Sequence, residues 1–201
     1  MKVPSKHIEA AVDQIASLPG IGRRTALRLV LNLLQRSDDE VQAFSDAFIE
    51  MKSNVHQCTS CGNIADQEEC SICLDQRRDE STICVVEDIR DILAIEATEA
   101  YKGRYHVLGG IISPMDGVGP SDLNIQSLVE RVDNEAVNEV IFALSPTMEG
   151  DTTNYYIYKK IRNFEVTVST LSRGVSVGSE LQYADEVTLS RSLLHRQPFK
   201  M

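Results

Sequence analysis

The stretch Cys58-Thr-Ser-Cys61, followed eight residues later by Cys70-Ser-Ile-Cys73, organises the rest of the chain and contains four of its five cysteines. Two CxxC pairs can hold one tetrahedral Zn²⁺, with Zn–S bonds of about 2.3 Å. The connecting loop is mostly polar, so metal binding rather than a hydrophobic core would supply most of the folding energy of this segment. Four thiolates leave no open coordination position for water. We therefore predict one structural zinc bound by Cys58, Cys61, Cys70 and Cys73.

Other interpretations of these cysteines are a redox CxxC pair or four unrelated core thiols. Redox CxxC motifs usually begin a helix after a buried strand, and neither flank here has that pattern. His56, two residues before the first cysteine, is an alternative ligand or a neighbour of the site. Cys84 lies in the apolar run Ile83-Cys84-Val85-Val86, where we expect an inert core thiol.

Length and composition exclude some classes of protein. The chain has 201 residues, enough for one large domain or two small ones. No apolar run approaches the roughly 20 residues that span a bilayer, so no membrane association is expected. Residues 1–9 lack the apolar region of a secretory signal. We therefore expect a cytoplasmic protein, in which clustered cysteines are metal ligands more often than disulfides.

The distribution of charge is uneven along an acidic chain with a formal net charge of −10. Residues 14–37 contain no acid and four arginines, and only bases follow Glu186: Arg191, Arg196 and Lys200. Basic segments on an acidic body favour a restricted nucleic-acid contact over general polyanion binding. The alternative is a solvated helix face.

A helix–hairpin–helix pattern surrounds Leu18-Pro19-Gly20-Ile21-Gly22. Proline and the glycines end a first helix and permit positive φ in a tight turn, and Arg23 starts a second helix. The amides of Gly20 and Gly22 could bind a phosphate, with Arg24 and Arg28 beside them on one helix face. Such a site contacts the DNA backbone and not the bases. A plain αα-corner is the alternative.

A third helix is predicted over residues 39–54, capped by Asp38 or Asp39. Its apolar residues keep a/d spacing over two heptads: Val41, Phe44, Phe48, Met51 and Val55. We expect this stripe to pack against the first two helices. A dimer interface is the alternative.

Residues 81–175 alternate between strands and helices, which predicts a mostly parallel sheet with helices on both faces. The predicted strands are 82–86, 105–110, 139–144 and 166–170. The predicted helices are 89–101, 123–132 and 153–163, the last with Tyr155, Ile157, Tyr158 and Ile161 as its apolar members.

Acidic residues follow two of these strands. Glu87 follows the first strand, and Glu149 and Asp151 follow the third. Open α/β sheets place their sites at the carboxyl ends of strands, where these oxygens could bind Mg²⁺. Alternatively, Glu87, Asp88 and Asp151 cap helix N-termini. Phosphoryl chemistry is disfavoured, because no basic residue stands beside these acids in the sequence.

In its motifs the chain resembles the bacterial recombination mediator family RecR. The matching motifs are collinear and cover nearly the whole chain: LPGIGRRTALRL (18–29), CTSCGNIADQEECSIC (58–73), TICVVED (82–88), YHVLGGIISPMDGVGPSDL (105–123), PTMEGDTTNYY (146–156) and RGVSVGSELQYADEVTLSRSL (173–193). The α/β part is similar to a Toprim domain, the module shared with topoisomerases and primases. Arg23 and Arg24 stand where the family usually has proline and lysine. Glu149-Gly-Asp151 replaces the Asp-x-Asp of catalytic Toprim domains.

The resemblance implies an α+β chain of four parts. These are a helix–hairpin–helix region (1–55), a four-cysteine zinc finger (56–77), a Toprim domain (81–175) and a C-terminal oligomerisation segment (176–201). It also implies a dimer or tetramer ring that encircles DNA in the nucleoid. The ring would act with RecO and RecF to help load RecA onto single strands covered by SSB.

Three hypotheses about function follow. The first is a non-enzymatic DNA-binding mediator, in which Glu87 and Glu149 face a partner protein with a basic patch. The second is a Mg²⁺-dependent Toprim enzyme that acts on DNA phosphodiesters at Glu87, Glu149 and Asp151. The third is a zinc-stabilised subunit without direct DNA contact.

Overall fold

The chain divides into two compact units in a computed structural model that describes residues 5–175, 178, 180–196 and 198. The first unit is Met1–Val55 and the second is His56–Met201, which contains the cysteine segment. Within the described part of the chain, no helix has the length and apolar character needed to cross a bilayer.

The first unit contains helices α1 (Lys6–Ala16), α2 (Arg23–Leu34) and α3 (Asp38–Asn54). Helices α1 and α2 pack against each other through a small core formed by the buried side chains of Val12, Ala26 and Val30. The turn between them contains Gly20 at φ +80°, as predicted. Gly22 instead has φ −78° and is the N-cap of α2, so only Gly20 needs the conformational freedom of glycine here.

Helix α3 does not bury its apolar stripe, so the prediction that this stripe packs against α1 and α2 is wrong. None of its side chains is buried, and Phe48 and Met51 are 55% and 54% exposed. The fully buried core of this unit consists of Val12, Ala26 and Val30, all of which belong to α1 and α2. The cap of α3 also differs from the prediction, because Ser37 rather than an aspartate forms a capping box with Glu40.

The second unit is built on a parallel sheet of four strands, β3 (Asp79–Val86), β4 (Gly103–Val107), β5 (Glu139–Phe142) and β6 (Thr167–Thr170). Their order in the sheet is β4-β3-β5-β6. The short strands β1 (His56–Gln57) and β2 (Ile64–Ala65) form a hairpin in the cysteine segment, which also contains α4 (Ser71–Leu74). The remaining helices are α5 (Ile89–Glu96), α6 (Ile125–Asn134), α7 (Met148–Ile161) and α8 (Glu186–Leu194).

The sheet has a hydrophobic core on each face, because alternate residues of β3 point in opposite directions. Ile83 and Val85 belong to one core, with Leu128 of α6 and Ile157 of α7. Cys84 and Val86 belong to the other core, which includes residues of α5. Helices therefore cover both faces, and the predicted α+β architecture with a parallel sheet is confirmed.

Two helix boundaries differ from prediction in ways that affect the acidic residues. Helix α5 ends at Glu96, because Glu99 adopts a positive φ of 56° and the chain turns there. Helix α7 begins at Met148, so Glu149 and Asp151 lie in its first turn rather than in a loop. Gly150 permits this start, because a Cβ there would overlap the Ser145 carbonyl oxygen. Tyr155 and Tyr158 of α7 are exposed rather than part of the core.

The C-terminal segment forms helix α8, whose N-cap is Asp185. No side chain of this helix is fully buried. Leu189 is half-buried, and the other large apolar residues are exposed: Val187, Leu193 and Leu194. Part of the predicted oligomerisation segment 176–201 lies outside the described residues, namely positions 176, 177, 179, 197 and 199–201.

A buried histidine joins β4 to α6. His106 Nε2 lies 2.8 Å from the Asn124 carbonyl oxygen, and His106 Nδ1 lies 3.4 Å from a guanidinium nitrogen of Arg131, which also pairs with Glu135. Arginine only donates, so Nδ1 is the acceptor and Nε2 carries the proton. Burial lowers the pKa of His106 to about 4.

This histidine is expected to make the second unit less stable in acid. The folded-state pKa is lower than the unfolded value of 6.5, so the unfolded chain binds more protons between pH 6.5 and 4. Stability is therefore lost as the pH falls through that window. Urea unfolding should show a loss of about 2 kcal/mol from this group between pH 7 and pH 5. Zinc release also lowers stability in acid, so the loss of unfolding free energy between pH 7 and pH 5 is compared between the parent and H106Q. The loss should be smaller in H106Q by about 2 kcal/mol. Equal pH dependence in both proteins would contradict this assignment.

Candidate functional site

The four predicted cysteines come together at a buried metal centre. Their sulfur atoms all lie within 4.8 Å of one another. The Cys58 and Cys73 sulfurs are 3.9 Å apart, and those of Cys61 and Cys70 are 3.7 Å apart. A tetrahedron with Zn–S bonds of about 2.3 Å has S–S edges of about 3.8 Å. The donor set and its spacing therefore fit zinc.

Local backbone geometry positions the two cysteine pairs. Gly62, at φ +75°, turns the chain after the first pair, and the Cys58 amide donates to the Asn63 carbonyl oxygen at 2.6 Å. Cys70 is the N-cap of α4, which positions Cys73 three residues later, and its amide donates to Cys58 Sγ at 3.3 Å. This amide–sulfur bond stabilises a thiolate, the form that binds metal.

Sulfur–sulfur contacts also shift the thiol pKa values. The Cys61 contact lowers the pKa of Cys70, while the Cys70 contact raises the pKa of Cys61. Cys84 lies apart in β3, where burial raises its pKa to about 12, as expected of an inert core thiol. His56 is exposed and is not in the cysteine cluster.

The cysteine segment is attached to the edge strand of the Toprim-like sheet. The Val107 amide donates to the Cys61 carbonyl oxygen at 2.8 Å, and the Arg104 guanidinium donates to the Cys73 carbonyl oxygen at 3.3 Å. A Cβ at Gly62 would lie 3.0 Å from the Val107 carbonyl oxygen, so this close approach requires glycine. The zinc segment thus covers part of the open edge of β4.

The glycine turn of the first unit has open space around both glycines. A Cβ added at Gly20 or Gly22 meets no atom within 4 Å. Gly22 supplies no side-chain cap for α2, and the first N–H groups of a helix lack partners within the helix. The turn therefore leaves donors available to an anion at the positive end of the helix dipole.

The arginines beside this turn differ in their partners. Arg23 pairs with Asp13, and its guanidinium lies 3.9 Å from Glu9 Oε1. Arg24 and Arg28 are exposed, and no acid among the described residues lies within ion-pair distance of either. The two predicted DNA-contacting arginines are thus the ones that keep an uncompensated charge.

The three predicted Toprim acids do not converge. Among the described residues, the cysteines are the one group of three or more metal-ligating side chains within 4.8 Å of each other. Glu87, after β3, accepts a hydrogen bond from the Ser145 hydroxyl at 3.3 Å, and Glu149 is exposed in the first turn of α7. Asp88 caps α5, as the capping interpretation predicted.

Asp151 does not cap a helix, because Thr147 takes that role for α7. Instead its carboxylate binds both terminal nitrogens of Arg173, at 3.1 and 2.5 Å, and lies 3.8 Å from Arg191. The hydrogen bonds from Arg173 hold the pKa of Asp151 below its usual value. The absence of a neighbouring base in the sequence therefore misleads, because Arg173 and Arg191 reach Asp151 from 22 or more residues away in the fold.

Comparison with known protein families matches successive parts of the chain. Residues 8–52 match the helix-hairpin-helix of RecR, 55–75 its four-cysteine zinc finger domain, 81–172 a Toprim domain and 174–197 the C-terminal region of RecR. The proteins named Recombination protein RecR include one from Flavobacterium johnsoniae that is 58% identical over 100% of this chain and 97% of its own length. The chain belongs to the RecR family.

Two further RecR proteins show similar agreement. The one from Bacteroides thetaiotaomicron is 57% identical over 98% of this chain and 96% of its own length. The one from Porphyromonas gingivalis is 53% identical over the same shares. The zinc-finger match and the buried cysteine cluster together confirm the prediction of one structural zinc.

Proposed function

We propose that this RecR chain is a non-enzymatic, DNA-binding mediator of recombinational DNA repair. It acts as an oligomeric clamp with RecO and RecF and helps load RecA onto single strands covered by SSB. The observation that carries this proposal is the glycine turn with Arg24 and Arg28, which have no acidic partner among the described residues. They form a local cationic site on a chain of net charge −10. The amides of Gly20 and Gly22 and these two guanidinium groups hold backbone phosphates.

The same proposal assigns a role to each part of the chain. Residues 1–55 contact DNA, 56–77 form the zinc finger, 81–175 form the Toprim domain, and 176–201 join subunits. Exposed apolar faces on α3 and α8 support self-association, since contiguous apolar surface of this kind marks interfaces. The site of action is the nucleoid in the cytoplasm.

The direct test is DNA retention measured together with solution mass. Affinity for single- and double-stranded oligonucleotides is measured over a series of salt concentrations, and light scattering gives the mass with and without DNA. A clamp held by phosphates requires an oligomer and an affinity that falls steeply with salt. A monomer with salt-independent or absent DNA binding would overturn the proposal, and it would favour the hypothesis of a structural subunit.

Glu149 is predicted to contribute to partner binding. It is exposed at the carboxyl end of the sheet, on the same side as Glu87, and has no ion-pair partner among the described residues. E149K should weaken binding to RecO about tenfold, because a charge facing a basic surface is reversed. The matched control is E165K, an exposed glutamate that precedes β6 at the opposite end of the sheet. Equal loss in both variants, measured by calorimetry, would contradict the assignment.

The rival hypothesis is a Mg²⁺-dependent activity at the Toprim acids. The separation of Glu87, Glu149 and Asp151, and the engagement of Asp151 by Arg173, support the non-enzymatic proposal. Incubation with supercoiled plasmid and Mg²⁺ distinguishes the two. Relaxation or nicking that disappears in E87A would establish the enzyme instead.

A further inference from the structure

A groove rich in arginine lies between the end of β6 and helix α8. We call it the arginine groove. Its main hollow has a volume of about 800 Å³ and is lined by cationic and small polar residues, among them Arg173, Arg191, His195, Arg196 and Ser192. None of the described residues that line this hollow is acidic. On an acidic chain, such a concentration of guanidinium groups creates a local site for anions.

The charge of the arginine groove is only partly compensated. Asp151 binds Arg173 and lies 3.8 Å from Arg191, so one carboxylate is shared between two arginines. Asp185 lines an adjoining hollow, and its side chain accepts a hydrogen bond from the Thr188 amide. Among the described residues, the one hydrogen-bond acceptor of the Arg196 guanidinium is the Leu193 carbonyl oxygen, at 3.2 Å, and the side chain is exposed. A net positive charge therefore remains, with Arg196 as its most available group.

An aromatic surface continues from the arginine groove. Arg191 also lines a hollow of about 540 Å³ on the N-terminal part of α7, together with Met148 and Tyr155. Tyr155 is 60% exposed, and Lys159 Nζ lies 4.5 Å from its ring centroid. Cations that track a backbone, next to an exposed aromatic ring, are the features by which proteins bind single-stranded nucleic acid.

We propose that the arginine groove binds the phosphates of single-stranded DNA, with Arg191 and Arg196 as the phosphate contacts and Tyr155 as a stacking surface for a base. This inference rests on the proposed function, because it adds a second contact for the DNA that the glycine turn holds. The open hollows and the adjoining aromatic ring favour a nucleic-acid strand as the ligand. A free phosphate ion could bind without an extended hollow and without an aromatic ring.

The test measures binding of the full-length protein to labelled oligo-dT over a salt series. R196E should weaken binding about tenfold and reduce the slope of log affinity against log salt by about one. The matched control is R162E, which makes the same charge change at an exposed arginine outside the groove and should change affinity less than about twofold. Equal effects of the two substitutions would overturn the proposal.

A second measurement locates the strand directly. Iodouracil-substituted oligo-dT should cross-link to the peptide containing Tyr155, and Y155A should abolish that cross-link. Light scattering checks each variant, because α8 is also assigned to subunit contacts. If R196E changes the mass of the oligomer, R196Q replaces it, and the test is whether R196Q loses the Tyr155 cross-link. Cross-links found only outside the groove, with none at Tyr155, would refute the groove.

Competition with inorganic phosphate separates the sources of the phosphate group. Binding of inorganic phosphate that depends on Arg196, without any effect of R196E on oligo-dT, would show an ion site and overturn the polymer assignment. Refutation of DNA binding at the glycine turn would give a different result from refutation of the groove. In that case R24E binds oligo-dT like the parent, while R196E still weakens binding. If R24E loses binding and R196E does not, the proposed function stands and the arginine groove is refuted.

Discussion

Replacement of Cys61 by serine is expected to release the zinc and lower the free energy of unfolding of the second unit by more than about 4 kcal/mol, with the sheet retained. The zinc segment has no apolar core besides its cysteines and a few neighbours. Without metal it loses the geometry that places the Cys61 carbonyl oxygen on the Val107 amide and the Cys73 carbonyl oxygen on Arg104.

The parallel sheet should survive this loss, because its cores do not depend on the cysteine cluster. Ile83, Leu128 and Ile157 are fully buried and lie away from the metal ligands. The edge of β4 should become accessible, so hydrogen exchange at Val107 and aggregation of the protein should both increase. A colorimetric zinc assay, chemical unfolding and hydrogen exchange check these effects.

The matched control for C61S is C84S. Cys84 is also buried, but it lies in β3 and packs within the sheet. C84S should keep one zinc per chain and leave exchange at β4 unchanged, although replacing a packed thiol by a hydroxyl costs some stability. Complete loss of helix and sheet signal in C61S would contradict this picture, as would full retention of zinc.

The cysteine centre and the glycine turn were both predictable from sequence, because their chemistry is local. CxxC spacing determines which sulfurs can meet around one ion, and a turn with positive φ at Gly20 requires a residue without a Cβ. In both cases a few consecutive residues contain the information.

The surroundings of Asp151 could not be predicted in the same way. Its partner Arg173 is 22 residues away and arrives only because β6 ends beside the start of α7. The sequence predicts a helix that begins only at residue 153, after Gly150. Gly150 lies in the first turn of α7, and its reason for being glycine is the close Ser145 carbonyl oxygen, a tertiary contact. One signal in the sequence did point to bases near this acid: all charged residues after Glu186 are basic, and they include Arg191 and Arg196.

Helix α3 shows a different limit. An apolar stripe at heptad spacing predicts that a surface becomes buried, and it does not reveal whether the cover lies in the same chain or in another copy. Phe44 and Phe48 contact each other edge to face, with ring centroids 5.0 Å apart, yet both remain exposed in the first unit.

Reversal of the charge at Arg24 is expected to weaken DNA binding at least about tenfold at about 0.1 M salt. Arg24 is exposed, stands beside the open turn, and has no acidic partner among the described residues, so its whole charge is available to a phosphate. R24E should also lower the slope of log affinity against log salt by about one, and R28E should behave similarly. Fluorescence anisotropy over a salt series measures both quantities.

Two controls separate the site from general charge. R36E makes the same charge change just beyond the C-terminal end of α2, a helix about 18 Å long whose other end is at the turn, and should change affinity less than about twofold. R23A should also have little effect, because Asp13 already pairs with Arg23. Losses of equal size for R24E and R36E would show a diffuse electrostatic effect rather than a site.

The backbone contact has its own test at Gly22. Its φ of −78° is accessible to alanine, and the added Cβ meets no protein atom within 4 Å. G22A should therefore lower the thermal unfolding temperature only slightly, as expected for alanine in place of glycine at an N-cap, but it should weaken DNA binding, because the methyl group occupies the space through which a phosphate approaches the amides. G20A would instead strain a residue at φ +80° and confound folding with binding. DNA affinity of G22A equal to that of the parent would refute close approach of phosphate to this turn, even if Arg24 and Arg28 prove to contact DNA.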